Sequence, residues 1–383
     1  MAEGQSHTSQ ERAPLDKKLG RWLGGMGGSN SASGKPETPA AKTQATPQAT
    51  PAPTPPRTPS APAVPARELT AEEKTLLAEL TRILEGRCDV LLRAAPPETK
   101  QSDAPMVVDT LRLLDETAIR QPPVAAQRAL AVARSPTSSA QQLVEIFEQD
   151  PALTEALLQM ANSSFYHRGN QPCIAISEAV QRVGVRGVEA IVTTNMVEGL
   201  LCRPGSAYWQ LLAQVWSHMT RTAPIARALA PAFKAAPETA FTVGLLHDVG
   251  RLMIFDYLSQ LRTRLRREIE VPEAFLFSML NRLHEPLGGI AAVRWNLGAD
   301  IARSVAYHHH EPPPERPDLL SELLCVAEKV DHAVRLAQPL DPWKIWRDGE
   351  LTAEPHAAQE LLATIPGLQL SGPQGGKAGA KAA

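Results

Sequence analysis

The sequence predicts an all-α protein in which residues 118–337 form one large helical domain or two intimately packed halves. Within this stretch, apolar residues recur at the i, i+3, i+4 and i+7 spacing that places side chains on one face of a helix. The alternating apolar and polar residues typical of strands are scarce there. Every aromatic residue except Trp22 lies between Phe147 and Trp346, so the large side chains of the core come from the later two thirds of the chain.

Residues 1–66 are predicted to form a disordered tail. They contain 11 prolines and 7 glycines, and such a segment buries too little apolar surface to offset the entropy lost on ordering. Its central part, rich in Pro, Thr and Ala, favours an extended, polyproline-like conformation. Its five Thr-Pro dipeptides leave two functions open beside that of a linker, namely proline-directed phosphorylation and binding as a PxxP ligand.

A helical extension is predicted at residues 67–117, ahead of the main domain. Thr70 and Glu73 fit a capping box, and an apolar stripe follows before Gly86, which is expected to end the first helix. A second helical pattern runs over residues 107–119. The pattern leaves open whether these helices form an independent hairpin or pack on the main domain.

Two further segments follow the main domain. Residues 338–370 are predicted to form a C-terminal extension of the main domain. Residues 371–383 are rich in Gly, Ala and Lys and contain no large apolar side chain, which predicts a second disordered tail.

The charge balance and the distribution of apolar residues exclude several classes of protein. The 383 residues include 39 Lys+Arg and 41 Asp+Glu, for a formal net charge of −2, so direct binding of nucleic acid through a strong positive field is not expected. No stretch approaches the ~20 consecutive apolar residues that a membrane span needs. The polar N-terminus lacks the apolar core of a secretory signal, which predicts a cytoplasmic protein. The four cysteines lie far apart, which argues against a disulfide framework.

Side chains able to bind a metal concentrate in the second half of the main domain. Six of the ten histidines lie between His218 and His310, and His247 is followed directly by Asp248 on an apolar helix. Imidazole nitrogens and carboxylate oxygens suit Zn, Fe, Mn or Co, and helical bundles build such sites from inward-facing side chains. Because the residues are widely dispersed, spacing alone leaves both a metal site and satisfied core histidines open.

The order of these residues resembles the H…HD…D signature of the HD superfamily of metal-dependent phosphohydrolases, with His218, His247, Asp248 and Asp331 at its positions. More narrowly, residues 118–337 resemble an HDOD domain, the HD-related output domain of bacterial signalling proteins. The motifs that carry this resemblance are, in chain order, QPPV at 121–124, DPALT at 150–154, LLQMANSSFY at 157–166, GLLHDVGRL at 244–252, His284, WNL at 295–297, and His308 with His309.

The resemblance implies an all-helical fold in which an N-terminal helical half leads into an HD-like half. Many HDOD domains have lost metal ligands and act as regulatory or scaffolding modules, whereas this chain retains a full set. The resemblance implies one or two divalent ions (Fe, Mn or Zn). The implied ligands are His218, His247, Asp248, His284, His308, His309 and Asp331.

The additional histidines are similar to ligands of the HD-GYP branch, which hydrolyses cyclic di-GMP with two or more metals. Two features depart from that branch, because no GYP motif follows His309 and the lysine expected after HDxG is replaced by Arg251. Arginine keeps the positive charge but cannot act as a general acid at ordinary pH. Arg251 is therefore expected to bind phosphate rather than to transfer a proton.

Taken together, the residues and the resemblance favour a bacterial signal-transduction or regulatory protein whose HDOD domain is an output or interaction module. Its expected partner is a protein of the signalling pathway or a nucleotide second messenger. A bound metal would organise the helices rather than turn over a substrate. The alternative is a metal-dependent phosphohydrolase acting on a cyclic dinucleotide or another phosphoester, and a structural domain with an empty site is a third interpretation.

Overall fold

The computed structural model describes residues 68–371 except 114–118, 136, 138, 164, 167–170, 203–207, 310–318, 349–350, 352 and 354. The predicted N-terminal tail, residues 1–66, lies outside the described residues, as do residues 372–383 of the predicted C-terminal tail. Within the described part of the chain, helix predominates and strand is limited to two short segments. The prediction of an all-α fold is confirmed.

The helices and strands follow one another in this order: α1 (Ala71–Ala94), α2 (Pro97–Lys100), α3 (Ala104–Leu113), α4 (Val124–Arg134), α5 (Ala140–Glu148), α6 (Pro151–Ala161), α7 (Ile176–Leu201), α8 (Trp209–Leu229), a 3-10 helix (Ala230–Phe233), α9 (Pro237–Leu246), α10 (Val249–Leu265), α11 (Glu273–Arg294), α12 (Ala299–Ala306), α13 (Leu319–Leu336), β1 (Pro339–Leu340), α14 (Pro342–Asp348), α15 (Pro355–Leu362) and β2 (Gln369–Leu370).

Helix α1 begins as the sequence predicts but does not end where expected. The hydroxyl of Thr70 accepts a hydrogen bond from the backbone N–H of Glu73 at 3.2 Å, and the Glu73 carboxylate accepts one from Thr70 N at 2.8 Å. Gly86 was expected to end this helix, and that expectation is wrong. The helix continues to Ala94, because Cys88 and later residues extend its buried face and a single glycine costs only ~1 kcal/mol in a helix.

The first helix packs on the main domain rather than forming a separate hairpin. Leu80 and Leu84 are fully buried in the same hydrophobic core as Leu283 of α11. The Arg87 guanidinium donates to the carboxylate of Glu285 at 2.6 Å. These contacts place α1 against the outer side of α11.

Small residues allow helices α10, α11 and α12 to approach one another closely. A Cβ atom at Gly250 of α10 would lie 2.0 Å from the backbone oxygen of His284 in α11, so only glycine fits. A Cβ atom at Gly289 of α11 would lie 2.7 Å from the Cβ of Ala306 in α12. Helices α10, α11 and α12 therefore meet almost backbone to backbone, which brings their polar residues together.

The C-terminal extension packs on α13 and on the 3-10 helix. Strands β1 and β2 pair in parallel, with Leu340 opposite Leu370. Ser371, which was expected to begin the disordered tail, donates its backbone N–H to the Leu340 oxygen at 2.8 Å. Trp346 stacks at a tilt beside Phe233, with ring centroids 6.0 Å apart. The extension thus has its own buried core. None of the described helices has the length and apolar character needed to cross a membrane.

Candidate metal centre

The seven residues singled out by the sequence come from five parts of the fold. His218 lies midway along α8, His247 and Asp248 form the turn between α9 and α10, and His284 lies on α11. The other three are His308 and His309, just after α12, and Asp331 on α13. The fold brings all seven into one connected cluster of polar side chains.

One group of possible ligand atoms comprises His218, His247 and Asp248, whose ligand atoms lie within 4.8 Å of one another. The Nε2 atoms of His218 and His247 are 3.0 Å apart. The Oδ2 atom of Asp248 lies 3.6 Å from Nε2 of His247 and 3.9 Å from Nε2 of His218. Two imidazoles and one carboxylate thus surround a space of ionic dimensions.

A second group comprises His284, His308 and His309, also within 4.8 Å of one another. The Nε2 atoms of His284 and His308 are 3.3 Å apart. The other oxygen of Asp248, Oδ1, lies 3.6 Å from Nε2 of His284. Asp248 therefore stands between the two groups, with one oxygen directed at each.

The buried histidines direct one ring nitrogen at a backbone oxygen and the other at the cluster. These Nδ1-to-oxygen contacts are His247 to Gly244 at 2.8 Å, His284 to Leu280 at 2.8 Å and His308 to Val305 at 2.7 Å. A carbonyl oxygen only accepts hydrogen bonds, so each Nδ1 carries a proton and each Nε2 faces the cluster. In the neutral form of the ring this Nε2 holds a lone pair. This is the arrangement by which proteins orient metal-binding histidines.

The environment of Asp248 gives an independent test of whether a metal fits. The side chain is fully buried, and its Oδ1 atom has no hydrogen-bond partner among the described residues. A buried carboxylate oxygen without a partner is costly unless a cation satisfies it. Together with the imidazole nitrogens directed at the same space, this oxygen provides the N/O donor set that Zn, Fe or Mn prefers. The residues present therefore fit a divalent metal.

Low pKa values keep His284 and His308 unprotonated, so that their Nε2 lone pairs are available to a metal. Burial lowers the pKa of His284 well below its ordinary value, and the positive charge of Arg251 lowers it further. Burial likewise lowers the pKa of His308 well below the ordinary value, reinforced by neighbouring His309. Both imidazoles are therefore neutral at physiological pH, as metal ligands must be.

In the group of His218, His247 and Asp248, the His247 ring is protonated when no metal is bound. Burial lowers the pKa of His247, but the carboxylates of Asp248 and Glu328 outweigh burial and raise this pKa to about 8. Burial raises the pKa of Asp248, yet Arg251 and the surrounding histidines outweigh it and lower this pKa to about 2. A positive charge is thus held beside the Asp248 carboxylate, where Nε2 of His247 faces His218.

Asp331 lies in the cluster but directs its oxygens away from the two groups. Its Oδ2 atom is 2.8 Å from Nδ1 of His218, and its Oδ1 atom accepts a hydrogen bond from Nε of Arg221 at 2.8 Å. The carboxylate therefore contacts the side of the His218 ring opposite to Nε2. In this structure Asp331 orients His218, while its role as a direct ligand stays a prediction.

Glu328 is a residue of the cluster that the sequence reasoning missed. Its Oε1 atom lies 3.3 Å from Nε2 of His247, and its Oε2 atom lies 3.8 Å from Nδ1 of His309. Burial raises the pKa of Glu328, but His309 and the other histidines outweigh it, so the pKa falls well below its ordinary value. Glu328 precedes Asp331 by three positions on α13, and this shared helix face is the signal that could have identified it.

Arg251 lies beside the metal centre rather than apart from it. Its Nη1 atom donates to Oδ2 of Asp248 at 2.6 Å, and only 11% of its side chain is exposed. The guanidinium also borders a cavity of about 700 Å³ that opens onto the cluster. His218, His309 and Glu328 line the inner end of this cavity. A molecule in the cavity would therefore meet both the metal centre and Arg251.

Comparison with known proteins agrees with this fold. A similar solved structure, of a candidate phosphohydrolase from Shewanella amazonensis SB2B, is 21% identical and covers 67% of this chain and 94% of its own, with a TM-score of 0.50. An HDOD domain protein of unknown function from Geobacter sulfurreducens, also 21% identical, covers 67% of this chain and 94% of its own, with a TM-score of 0.48. At this identity the likeness shows the fold alone.

One protein sequence is similar to about half of this chain. An uncharacterized protein of Treponema pallidum (strain Nichols) is 29% identical over 203 residues, which are 51% of this chain and 38% of that protein. The match thus spans less than half the length of the relative. The HDOD domain profile matches residues 119–311, from the start of the main domain to just past the last histidine of the cluster. The resemblance inferred from the motifs is confirmed, and the chain belongs to the HDOD domain family.

Proposed function

We propose that this chain is a regulatory protein of a bacterial signalling pathway whose HDOD domain binds one or two divalent metal ions and acts as an output or interaction module. One observation carries the proposal. Two groups of histidines present their Nε2 atoms on either side of Asp248, whose Oδ1 atom is buried without a hydrogen-bond partner among the described residues. Fe, Mn and Zn are the candidate metals.

The residues proposed to hold the metal are distributed so that binding ties several helices together. His218 belongs to α8, Asp248 to the α9–α10 turn, His284 to α11, and His308 to the segment after α12. A bound metal supplies positive charge and Lewis acidity at their meeting point. Because separate helices share that point, their relative positions, and the surface offered to a partner protein, would depend on occupancy.

The position of Arg251 favours binding over turnover. Its guanidinium holds Oδ2 of Asp248 at 2.6 Å and faces the cavity, where it can bind a phosphate or another anion. A guanidinium stays protonated at ordinary pH and so cannot donate a proton to a leaving group. This favours recognition of a nucleotide or a protein partner over hydrolysis.

The test is the metal content of the purified full-length protein, measured by elemental analysis after reconstitution with Fe²⁺, Mn²⁺ or Zn²⁺. We expect one to two equivalents in the wild type and a large loss in Asp248→Ala. The matched control is Asp109→Ala, which removes a carboxylate that is 60% exposed on α3 and should leave the metal content unchanged. Absence of metal from the reconstituted wild type would contradict the proposal.

A metal-dependent phosphohydrolase is the second candidate, and a specific observation favours it. The cluster is not sealed, because His309 is 37% exposed and a cavity of about 700 Å³ reaches the metal centre. A substrate could therefore approach, with Arg251 binding phosphate oxygens and the Glu328 carboxylate accepting a proton at Oε1. The test is hydrolysis of bis(p-nitrophenyl) phosphate and of cyclic di-GMP by the Mn²⁺-loaded protein. Turnover that disappears in both Asp248→Ala and Glu328→Gln would establish the enzyme. If the wild type hydrolysed these substrates no faster than Asp248→Ala does, the phosphohydrolase would be excluded.

A further inference from the structure

We propose that the C-terminal extension completes a binding site for an organic phosphate, in which Lys329 and Lys344 bind the phosphoryl group and Leu340 and Ile345 support an apolar body. The inference rests on the proposed function, because it identifies the kind of ligand that the regulatory domain would recognise. It adds a subsite, built outside the residues that the family profile matches.

The cavity beside the metal centre has two ends of different origin. Its inner end is formed by residues of the HD-like half, among them His218 and Asp248. We call the outer end the part lined by Lys329, an exposed residue of α13, and by the segment from β1 to α14, including Leu340 and Lys344. The family profile ends at residue 311, so Lys329, Leu340 and Lys344 lie after the matched segment.

The outer wall is held firmly enough to serve as a preformed surface. Leu340 and Ile345 are 9% and 5% exposed, and both belong to the core of the extension. The Leu340 backbone is fixed by pairing with β2 and by the hydrogen bond from Ser371 N at 2.8 Å. The indole N–H of Trp346 donates to the backbone oxygen of Ala353 at 2.8 Å. Preformed walls of this kind are typical of small-molecule sites.

The carboxylates at the inner end of the cavity are already compensated. Asp248 accepts a hydrogen bond from Arg251 at 2.6 Å, and Asp331 accepts one from Arg221 at 2.8 Å. Glu328 lies 3.3 Å from Nε2 of His247. These acidic groups therefore contribute little net negative charge to the rest of the cavity.

The outer end carries an excess of positive charge. Lys329 and Lys344 line it, and among the described residues lining that end the acidic side chain is Asp341. The Asp341 carboxylate accepts a hydrogen bond from the Lys344 backbone N–H at 3.3 Å, and the Lys344 side chain is exposed. Ammonium groups bind phosphate as point charges, so this end favours an anion.

The remaining lining and the size of the cavity define the rest of the ligand. Val215, Ala333 and Pro339 add apolar surface between the two ends. A volume of about 700 Å³ falls within the range of sites for small organic ligands, ~300–1,000 Å³. An apolar surface bordered by positive charge suits a planar or apolar body that bears a phosphate, as in a nucleoside monophosphate.

The experiment is a fluorescence titration of the metal-reconstituted, full-length protein with trinitrophenyl-AMP, which combines an aromatic body with a phosphate. We expect saturable binding by the wild type and about tenfold weaker binding, or ~1.4 kcal/mol, by the double variant Lys329→Ala/Lys344→Ala, which lacks both ammonium groups. The matched control is Lys74→Ala/Lys100→Ala, two exposed lysines on α1 and α2. AMP should displace the probe at least about tenfold more effectively than adenosine.

The outcomes separate this inference from the proposed function, because the metal content of each protein is measured in parallel. A wild type that holds metal but does not bind the probe saturably would overturn the phosphate site and leave the metal site standing. Equal affinity of the double lysine variant and the wild type, or equal displacement by AMP and adenosine, would overturn it as well. A wild type that binds the probe through Lys329 and Lys344 but holds no metal would support the phosphate site and contradict the metal proposal.

Discussion

The Nε2 atoms of His284 and His308 face each other at 3.3 Å, although the residues are 24 positions apart in the sequence. Each ring donates its Nδ1 proton to a backbone oxygen and is fully buried, so two nitrogen lone pairs point at one another inside the protein. Such an arrangement is unfavourable unless a cation lies between the nitrogens. The free energy of unfolding should depend on whether a cation is bound between these two histidines.

We therefore expect Mn²⁺ or Zn²⁺ to raise the melting temperature of the full-length protein and EDTA to reverse the effect. A ligand that binds only the folded state at 100 times its Kd stabilises that state by ~2.7 kcal/mol, which corresponds to several degrees for a domain of this size. In His308→Ala the metal-dependent increase should disappear. His356→Ala, which removes an exposed histidine of α15, is the control and should keep the increase. The same increase in both variants would contradict the assignment of His308.

A second prediction concerns the competition between Arg251 and a metal for Asp248. The guanidinium donates to Oδ2 of Asp248 at 2.6 Å, and a metal bound to that carboxylate would meet a like charge nearby. Arg251→Ala should therefore bind Mn²⁺ more tightly, by about tenfold, or ~1.4 kcal/mol, while lowering the stability of the metal-free protein. Isothermal titration calorimetry measures the affinity, with exposed Arg282→Ala as the control. Weaker binding by Arg251→Ala would mean that the arginine holds the carboxylate in place.

The sequence predicted the helical fold and the convergence of the histidines for different reasons. Helical spacing of apolar residues indicates helices wherever one face is buried, and the described residues between 119 and 337 are mostly helical. The convergence followed from the motif order rather than from spacing, because His218 and Asp331 are 113 positions apart. Only tertiary packing places them in contact at 2.8 Å.

Two features of the centre do not belong to the motifs that carry the family resemblance. Glu328 resembles a solvent-facing residue of an amphipathic helix, and only the position of α13 brings its carboxylate to 3.3 Å from His247. The direction of the Asp331 carboxylate depends on Arg221, one turn after His218 on α8, which no metal-binding motif includes.

The end of helix α1 was predicted wrongly because glycine at an exposed helix position, here Gly86, is tolerated when the buried stripe continues beyond it.

Gly250 and Gly86 give opposite predictions for the same substitution. A Cβ atom at Gly250 would lie 2.0 Å from the His284 oxygen, so Gly250→Ala should separate α10 from α11, destabilise the protein by ~1–3 kcal/mol and reduce its metal content. A Cβ atom at Gly86 has no neighbour within 4 Å, so Gly86→Ala should stabilise helix α1 by ~0.5–1 kcal/mol. Urea denaturation measures both changes. A Gly250→Ala protein with wild-type stability and metal content would refute the close approach of the two helices.

The last prediction concerns acid sensitivity at the junction between the helical extension and the main domain. Asp103, just before α3, accepts hydrogen bonds from Arg267 at 2.6 and 2.7 Å and from the backbone N–H of Glu270 at 2.9 Å. The hydrogen bonds from Arg267 lower the pKa of Asp103 below its ordinary value of 3.8. Because the folded pKa lies below the unfolded one, the ionised carboxylate stabilises the fold above pH 3.8, and this contribution is lost as the pH falls through the folded pKa.

Asp103→Asn should therefore lower the free energy of unfolding at pH 7 but make a progressively smaller difference below pH 3.8, where the wild-type carboxylate also becomes neutral. Asparagine retains an oxygen that can accept the Glu270 N–H, so the variant isolates the charged contact with Arg267. Urea denaturation at pH 7, 5 and 3 measures the difference, and Asp109→Asn, with its 60% exposed side chain, provides the control. If the difference for Asp103→Asn were as large at pH 3 as at pH 7, the ion pair could not be its cause, and the amide itself would have to disturb the junction.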